Sequence, residues 1–248
     1  ISFDSSLEIT ATKKLVTPDA GSITSQTYLA CINSIVRVDQ FLTDDGIRVS
    51  AYIFDSQGNI LHRKEITDTI APNKKIPPIP FYISQSPDKS IIALVQAQIV
   101  NDDSLAISGI VFNDQLTIHG NGIFTVPFDQ QRSDLYMPLV NDRETIFIVT
   151  ADKFDSYKLG SALTSYLLPA GKTTPQKIQF NFDRIKIKEL NFYTPGDTLV
   201  FSALYSEKKN RKDIVGILHA GYDLKKQQYL PAVEYIYNDD IVKSLKKM

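Results

Sequence analysis

The sequence predicts an all-β fold assembled from repeated four-stranded antiparallel units, and three observations carry that reading. The apolar runs are short, rich in β-branched and aromatic residues, and bounded by turn residues, which suits strands better than helices. The runs also come in pairs. TYLACINSIVRVDQFLTDDGIRVSAYIFDSQGN, SIIALVQAQIVNDDSLAISGIVFNDQ, TIFIVTADKFDSYKLGSALTSYLLPAGK and TLVFSALYSEKKNRKDIVGILHAGYDLKK each hold an apolar strand, a polar loop, a second apolar strand and a turn. Finally, with Phe54, Phe112, Leu168 and Tyr222 as equivalent marks, the pattern returns at intervals of 58, 56 and 54 residues, within the blade-sized range of a β-propeller.

Taken in order, residues 1–66 form the first blade, in which LEITATKKLV supplies a first strand or completes the last blade as a ring-closing segment. Residues 67–128, 129–182 and 183–237 form the next three, opened by FYISQSPDKS, YMPLVNDRE and LNFYTPGD, each a short strand closed by a turn of Pro, Asp, Asn or Gly. The runs IIALV, TIFIV and TLVF have no polar face. They are predicted to be inner strands covered on both faces, since a strand covered on one side alternates. GNILHRKEI, LTIHGNGIFTV, QKIQFNF and QQYLPAVEYI are more polar and read as outer strands. Residues 238–248 are a C-terminal extension in which DDIVKSLKK reads as helical, with Asp at its start and Lys near its end. About four blades are visible, as a four-bladed ring or as part of a larger one. A two-sheet sandwich is the alternative and would show cleaner alternation.

SQSPDKSIIALVQ followed by LAISGIVFND resembles a TolB-like propeller blade, with Lys89 where that repeat usually carries Gly. LVNDRETIFIV lacks the Ser-Pro, and YTPGDTLVF has Pro-Gly-Asp in its place. The resemblance covers residues 27–237 in rhythm and one repeat in motif. The phrasing of FDSQGNILHRKEI, with abundant Ile, Lys, Asp and Tyr, is similar to cell-envelope propeller proteins of Bacteroidota. The resemblance implies a periplasmic, envelope or secreted protein. Ile1 in place of Met fits removal of a leader or upstream region.

Of the 248 residues, 43% are hydrophobic and 22% charged, with a formal net charge of -1, an ordinary globular balance. A nucleic-acid partner is disfavoured, because phosphate recognition needs a strong positive excess. No apolar run approaches the ~20 residues of a membrane-spanning helix. Cys31, the single cysteine, reads as a small apolar strand residue with no cation beside it to create a reactive thiolate.

No nucleophile elbow, phosphate loop, dinucleotide fingerprint or metal spacing occurs, so no catalytic residue, metal ligand or cofactor is expected. His62 and His119 are expected to be solvated on outer strands, and His219 to be a satisfied residue of an inner strand. What remains is a set of loops at one position in successive repeats: TDDG with Asp44 and Asp45, NDDS with Asp102 and Asp103, KFDSYK with Asp155, and KKNRKD with Lys208, Lys209, Arg211 and Lys212. In a propeller these gather on one face, as a rim of three acidic loops and one basic loop. The expected function is a non-catalytic module that binds a protein or carbohydrate partner through this rim. The alternative is a glycan-active hydrolase or lyase, or the propeller half of a peptidase, with catalytic groups gathered around the axis from different blades.

Overall fold

The computed structural model describes residues 2–3, 9–11, 23–32, 34–43, 46–55, 57–66, 79–155, 158–182, 185–207, 214–238 and 241. Strands β1 (Ser2–Phe3) and β2 (Ile9–Ala11) pair with each other in a small sheet of their own. Of LEITATKKLV, expected to supply a first strand or to complete the last blade, Ile9–Ala11 lies in this two-stranded sheet and the rest falls outside the described residues. The described part of that segment takes its nearest extended neighbour in sequence, a pairing with a short loop to close.

Four antiparallel sheets follow. Blade 1 is β3 (Ile23–Ala30), β4 (Ile35–Thr43), β5 (Gly46–Phe54) and β6 (Ile60–Ile66). Blade 2 is β7 (Tyr82–Gln85), β8 (Ile91–Asn101), β9 (Ser104–Asn113) and β10 (Ile118–Pro127). In blade 3, β11 (Ser133–Leu135) and β12 (Leu139–Val140) share the first position beside β13 (Thr145–Asp155), then come β14 (Lys158–Pro169) and β15 (Gln176–Asn181). Blade 4 is β16 (Ile185–Tyr193), β17 (Thr198–Glu207), β18 (Gly216–Asp223) and β19 (Gln228–Ile236). Within each sheet the strands lie in sequence order, so the architecture is a β-propeller. The helical tail expected at DDIVKSLKK falls almost entirely outside the described residues.

Consecutive blades are joined by three apolar seams. Val36, Val38 and Ala51 of blade 1 meet Ile92, Leu94 and Phe112 of blade 2. Ala93, Val95 and Ile107 of blade 2 meet Ile146, Ile148 and Leu168 of blade 3. Phe147, Leu163 and Leu167 of blade 3 meet Leu199, Phe201 and Ala203 of blade 4. The inner strands of blades 2 and 3 thus send alternate residues backward to the preceding blade and forward to the next. This is why Ile91–Gln98 is buried at every position, as its unbroken apolar run requires. One buried polar side chain at the first seam is fully paired: Gln40 donates to Phe81 O at 2.9 Å and accepts from Phe81 N–H at 2.7 Å.

TLVF departs from expectation. Along β17 buried and half-buried residues alternate from Thr198 to Leu204, because only its backward face meets a blade. The backward face of blade 1 is charged and covered: Arg37 and Asp39 are fully buried and paired at 3.1 Å. The Arg37 guanidinium stacks 4.6 Å from the Tyr52 ring centroid, so these charges are held by both a counter-ion and an aromatic face.

The turns between first and second strands clamp one blade to the next. Asp88 N–H donates to Asp142 Oδ1 at 3.0 Å, Asn141 Nδ2 to Gly196 O at 3.3 Å, and Thr194 Oγ1 to Val140 O at 3.4 Å. Arg143 forms an ion pair with Asp197. The chain uses SPDK, NDRE and TPGD at one station in three blades, with polar side chains aimed sideways, and so fixes the angular spacing of the sheets that carry the loops.

Candidate functional site

The predicted rim is the set of connections between second and third strands, which sheet order places at the same end of all four blades. Thr43 pairs with Gly46, Asn101 with Ser104 and Asp155 with Lys158. Each of these three hairpins therefore closes over two residues. Asp102 and Asp103 occupy the tip of the second. By the same register Asp44 and Asp45 fall between the closing residues of the first, outside the described residues. Asp155 is a closing residue, equivalent to Thr43 and Asn101. Its side chain lies outside the described residues, as do Lys208, Lys209, Arg211 and Lys212 between β17 and β18.

The second hairpin shows how the sequence builds a tip. Asn101 Oδ1 accepts from Asp103 N–H at 3.0 Å and from Ser104 Oγ at 2.8 Å, an Asx turn that fixes the reversal. The carbonyls of Asp103 and Asp102 accept from Phe128 N–H at 2.9 Å and Gln130 N–H at 3.4 Å. The tip is thereby tied to the chain leaving β10, while both carboxylates remain exposed.

Two apolar residues missed by the sequence reading stand beside the doublets. Leu42, two residues before Asp44, is 53% exposed, and Val100, two residues before Asp102, is 54% exposed. LTDDG and VNDDS are thus one motif in adjacent blades, an aliphatic residue, a hydrogen-bonding residue and an acid pair. The signal was available in the alignment of the repeats; exposure at a strand end is what the sequence does not display.

The histidines divide. His62 lies on exposed β6. His119 is not merely solvated: its Nδ1 lies 2.5 Å from Glu144 Oε1 in the neighbouring blade, because β10 runs beside the clamp turn. His219 Nδ1 lies 2.7 Å from Ser202 Oγ, and an open cavity of about 310 Å³ is lined by Ser202, Glu189, Asn191, Leu204 and Ile217. Ser202 sits on a strand paired on both sides, so the surrounding amides belong to the sheet ladder and are not turned toward a developing oxyanion. The pair is a satisfied cross-strand contact. Cys31 follows β3 and is half-buried, not on a strand as expected. Burial, then Asp114, pushes its thiol up, away from the reactive thiolate.

The sequence matches no family model and no curated protein. Among solved structures, the chain is similar to the Dos1 propeller, at 11% identity and a TM-score of 0.48, over 94% of this chain and 54% of that one. It is similar to a Synechocystis apocarotenoid oxygenase mutant at 12% identity and a TM-score of 0.45, over 94% and 55%. It is similar to the β-propeller domain of the trilobed protease from Pyrococcus furiosus at 12% identity and a TM-score of 0.38, over 89% and 70%. The chain spans just over half the length of the first two. Two of these three, the Dos1 propeller and the trilobed protease domain, are β-propellers by description.

Proposed function

We propose that this propeller is a non-catalytic binding module whose hairpin rim takes a protein partner with a basic, partly apolar surface. One observation carries the reading: an exposed aliphatic residue next to an acid doublet, Leu42 with Asp44–Asp45 and Val100 with Asp102–Asp103, repeated in neighbouring blades. Exposed carboxylates steer a cationic partner and set its register, and the aliphatic residues supply apolar area for contact. The exposed aliphatics favour a protein over a carbohydrate partner. The hydrolase, lyase and peptidase readings would need catalytic groups that the Ser202–His219 pair does not provide. The SPDK turn supports a TolB-like repeat, and that likeness in turn supports a cell-envelope or secreted setting.

The test is selection of displayed random peptides on the immobilised chain, followed by titration against a variant carrying Asp44→Lys, Asp45→Lys, Asp102→Lys and Asp103→Lys. Peptides rich in Lys or Arg with interspersed apolar residues should be enriched, bind more weakly as salt is raised, and lose binding to the variant. Equal binding to parent and variant would sink the rim.

A further inference from the structure

The open cavity on blade 4 has two unlike sides. β16 pairs with β17 so that Glu189 stands opposite Leu204 and Asn191 opposite Ser202, and β18 sets Ile217 beside Leu204. Residues directly opposite in an antiparallel pair share a face. One side of the cavity is therefore a carboxylate and an amide two residues apart on β16, and the other is the aliphatic pair Leu204 and Ile217. Glu189 and Asn191 are exposed, whereas Leu204 and Ile217 are half-buried. Ser202, between the two sides, is taken by His219 at 2.7 Å. The side chains of Glu189 and Asn191 hold no hydrogen bond or ion pair among the described residues, so both keep their full capacity for a ligand. Glu189 is also the only charged side chain among the described residues that line the cavity.

We propose that this cavity binds a small primary amine with a compact apolar body. Charge decides the sign of the ligand: Glu189 repels carboxylates and phosphates and attracts an ammonium. The acceptors decide its kind, because a primary ammonium brings three N–H donors and no acceptor. That suits the Glu189 carboxylate and the Asn191 Oδ1 beside it, whereas a quaternary ammonium has no N–H to give. Leu204 and Ile217 decide the rest of the molecule, since an apolar group laid on them leaves water. Small-molecule sites combine such an apolar wall with a few fixed polar groups. At about 310 Å³ the cavity is at the small end of the ~300–1,000 Å³ of ligand pockets, so the body is one ring or a short branched chain. A wholly apolar ligand is disfavoured, because it would strip water from Glu189 and return no hydrogen bond.

The experiment is a titration of the 248-residue chain, its Leu and Ile methyl groups isotopically labelled and followed by NMR, with phenethylamine, hydrocinnamate and phenethyltrimethylammonium. Phenethylamine should move the methyl signals of Leu204 and Ile217 and leave that of Leu42 at the rim in place. Glu189→Gln exchanges one exposed side chain for another of the same shape and leaves the sheet intact. It should weaken the amine about 5-fold, the upper range for an open ion pair. Glu65→Gln, which removes an exposed carboxylate of blade 1, should change nothing. Hydrocinnamate carries the same ring with the opposite charge, and both it and the quaternary ion should bind more weakly than the amine. Equal affinity of the amine for parent and Glu189→Gln overturns the proposal. Hydrocinnamate bound as tightly as the amine overturns it by reducing the site to an apolar patch, and equal binding of the quaternary ion overturns the assignment to a primary amine. Unmoved signals at Leu204 and Ile217 overturn it outright. The cavity shares no residue with the hairpin rim, so the rim stands or falls on its own measurement.

Discussion

Lys89 and Glu144 hold the same left-handed position in the clamp turns of blades 2 and 3, at φ 65° and 62°. A side chain there is strained and glycine is not. Lys89→Gly should therefore stabilise the chain by about 0.5–1 kcal/mol, read as a higher urea midpoint with an unchanged slope. Glu144→Gly should gain less or nothing, because it also removes the partner of His119; an equal gain from both would show that the His119–Glu144 contact contributes nothing. In the same turn of blade 2, Asp88 is pushed up by desolvation but held below its ordinary value by hydrogen bonds from Ser86 and Ser90 and one shared with Asp142. Two phenols move the other way. Burial, and then the neighbouring Asp134, pushes Tyr136 up to about 12; burial, and then the hydrogen bond to Glu234, does the same for Tyr205. Because the unfolded chain sheds these protons near the ordinary value of 10 while the fold retains them, stability is full below that pH and falls between about 10 and 12. Urea midpoints across that range should decline, and the decline should be smaller in Tyr205→Phe.

Among the elements, the strand rhythm was legible because repetition and the switch between continuous and alternating apolar patterns report burial directly. Ile91–Gln98 is buried throughout as its sequence requires. β17 was misread for a physical reason: Thr198, Val200, Ser202 and Leu204 occupy positions equivalent to a covered face, and sequence does not state whether the cover is present. Leu42 and Val100 were missed for a related reason, since an aliphatic residue one step before a hairpin's closing pair looks like core until its exposure is measured. The clamp turns were legible as turns, but not as ties between blades, because Asp88–Asp142 and Asn141–Gly196 join residues that only the curvature of the ring brings together. Close approach of β10 to the β14–β15 turn is another such contact. A Cβ on Gly120 would stand 2.3 Å from Gly171 N, whereas one on Gly122 would meet only Lys172 O at 3.6 Å. Gly120→Ala forces backbone apart and should cost about 1–3 kcal/mol. Gly122→Ala should be neutral or slightly stabilising. Thermal unfolding of the two variants checks this, and equal melting temperatures would mean that the β14–β15 turn yields freely.

Among the described residues the apolar seams join consecutive blades, so the molecule behaves as a short linear array, in which each unit draws its stability from its own sheet and from the seams on either side. Blades 2 and 3 each have two apolar seams. Blade 4 has one among the described residues, and its outer strand β19 is exposed along nearly its whole length. Opening blade 4 therefore breaks one seam and opening blade 3 breaks two, so the free energies of local opening should rise from the fourth blade toward the middle. Native-state hydrogen exchange on the 248-residue chain should find β19 amides exchanging first, β17 and β18 next, and the centres of β8, β9 and β13 last. Leu199→Ala, which thins the seam between blades 3 and 4, should cost about 2–5 kcal/mol and widen the gap between β17 and β13, whereas Ile107→Ala should lower the protection of blades 2 and 3 together. Uniform protection across all four sheets would show that the molecule opens as one cooperative body and that the missing forward seam of blade 4 has no energetic consequence.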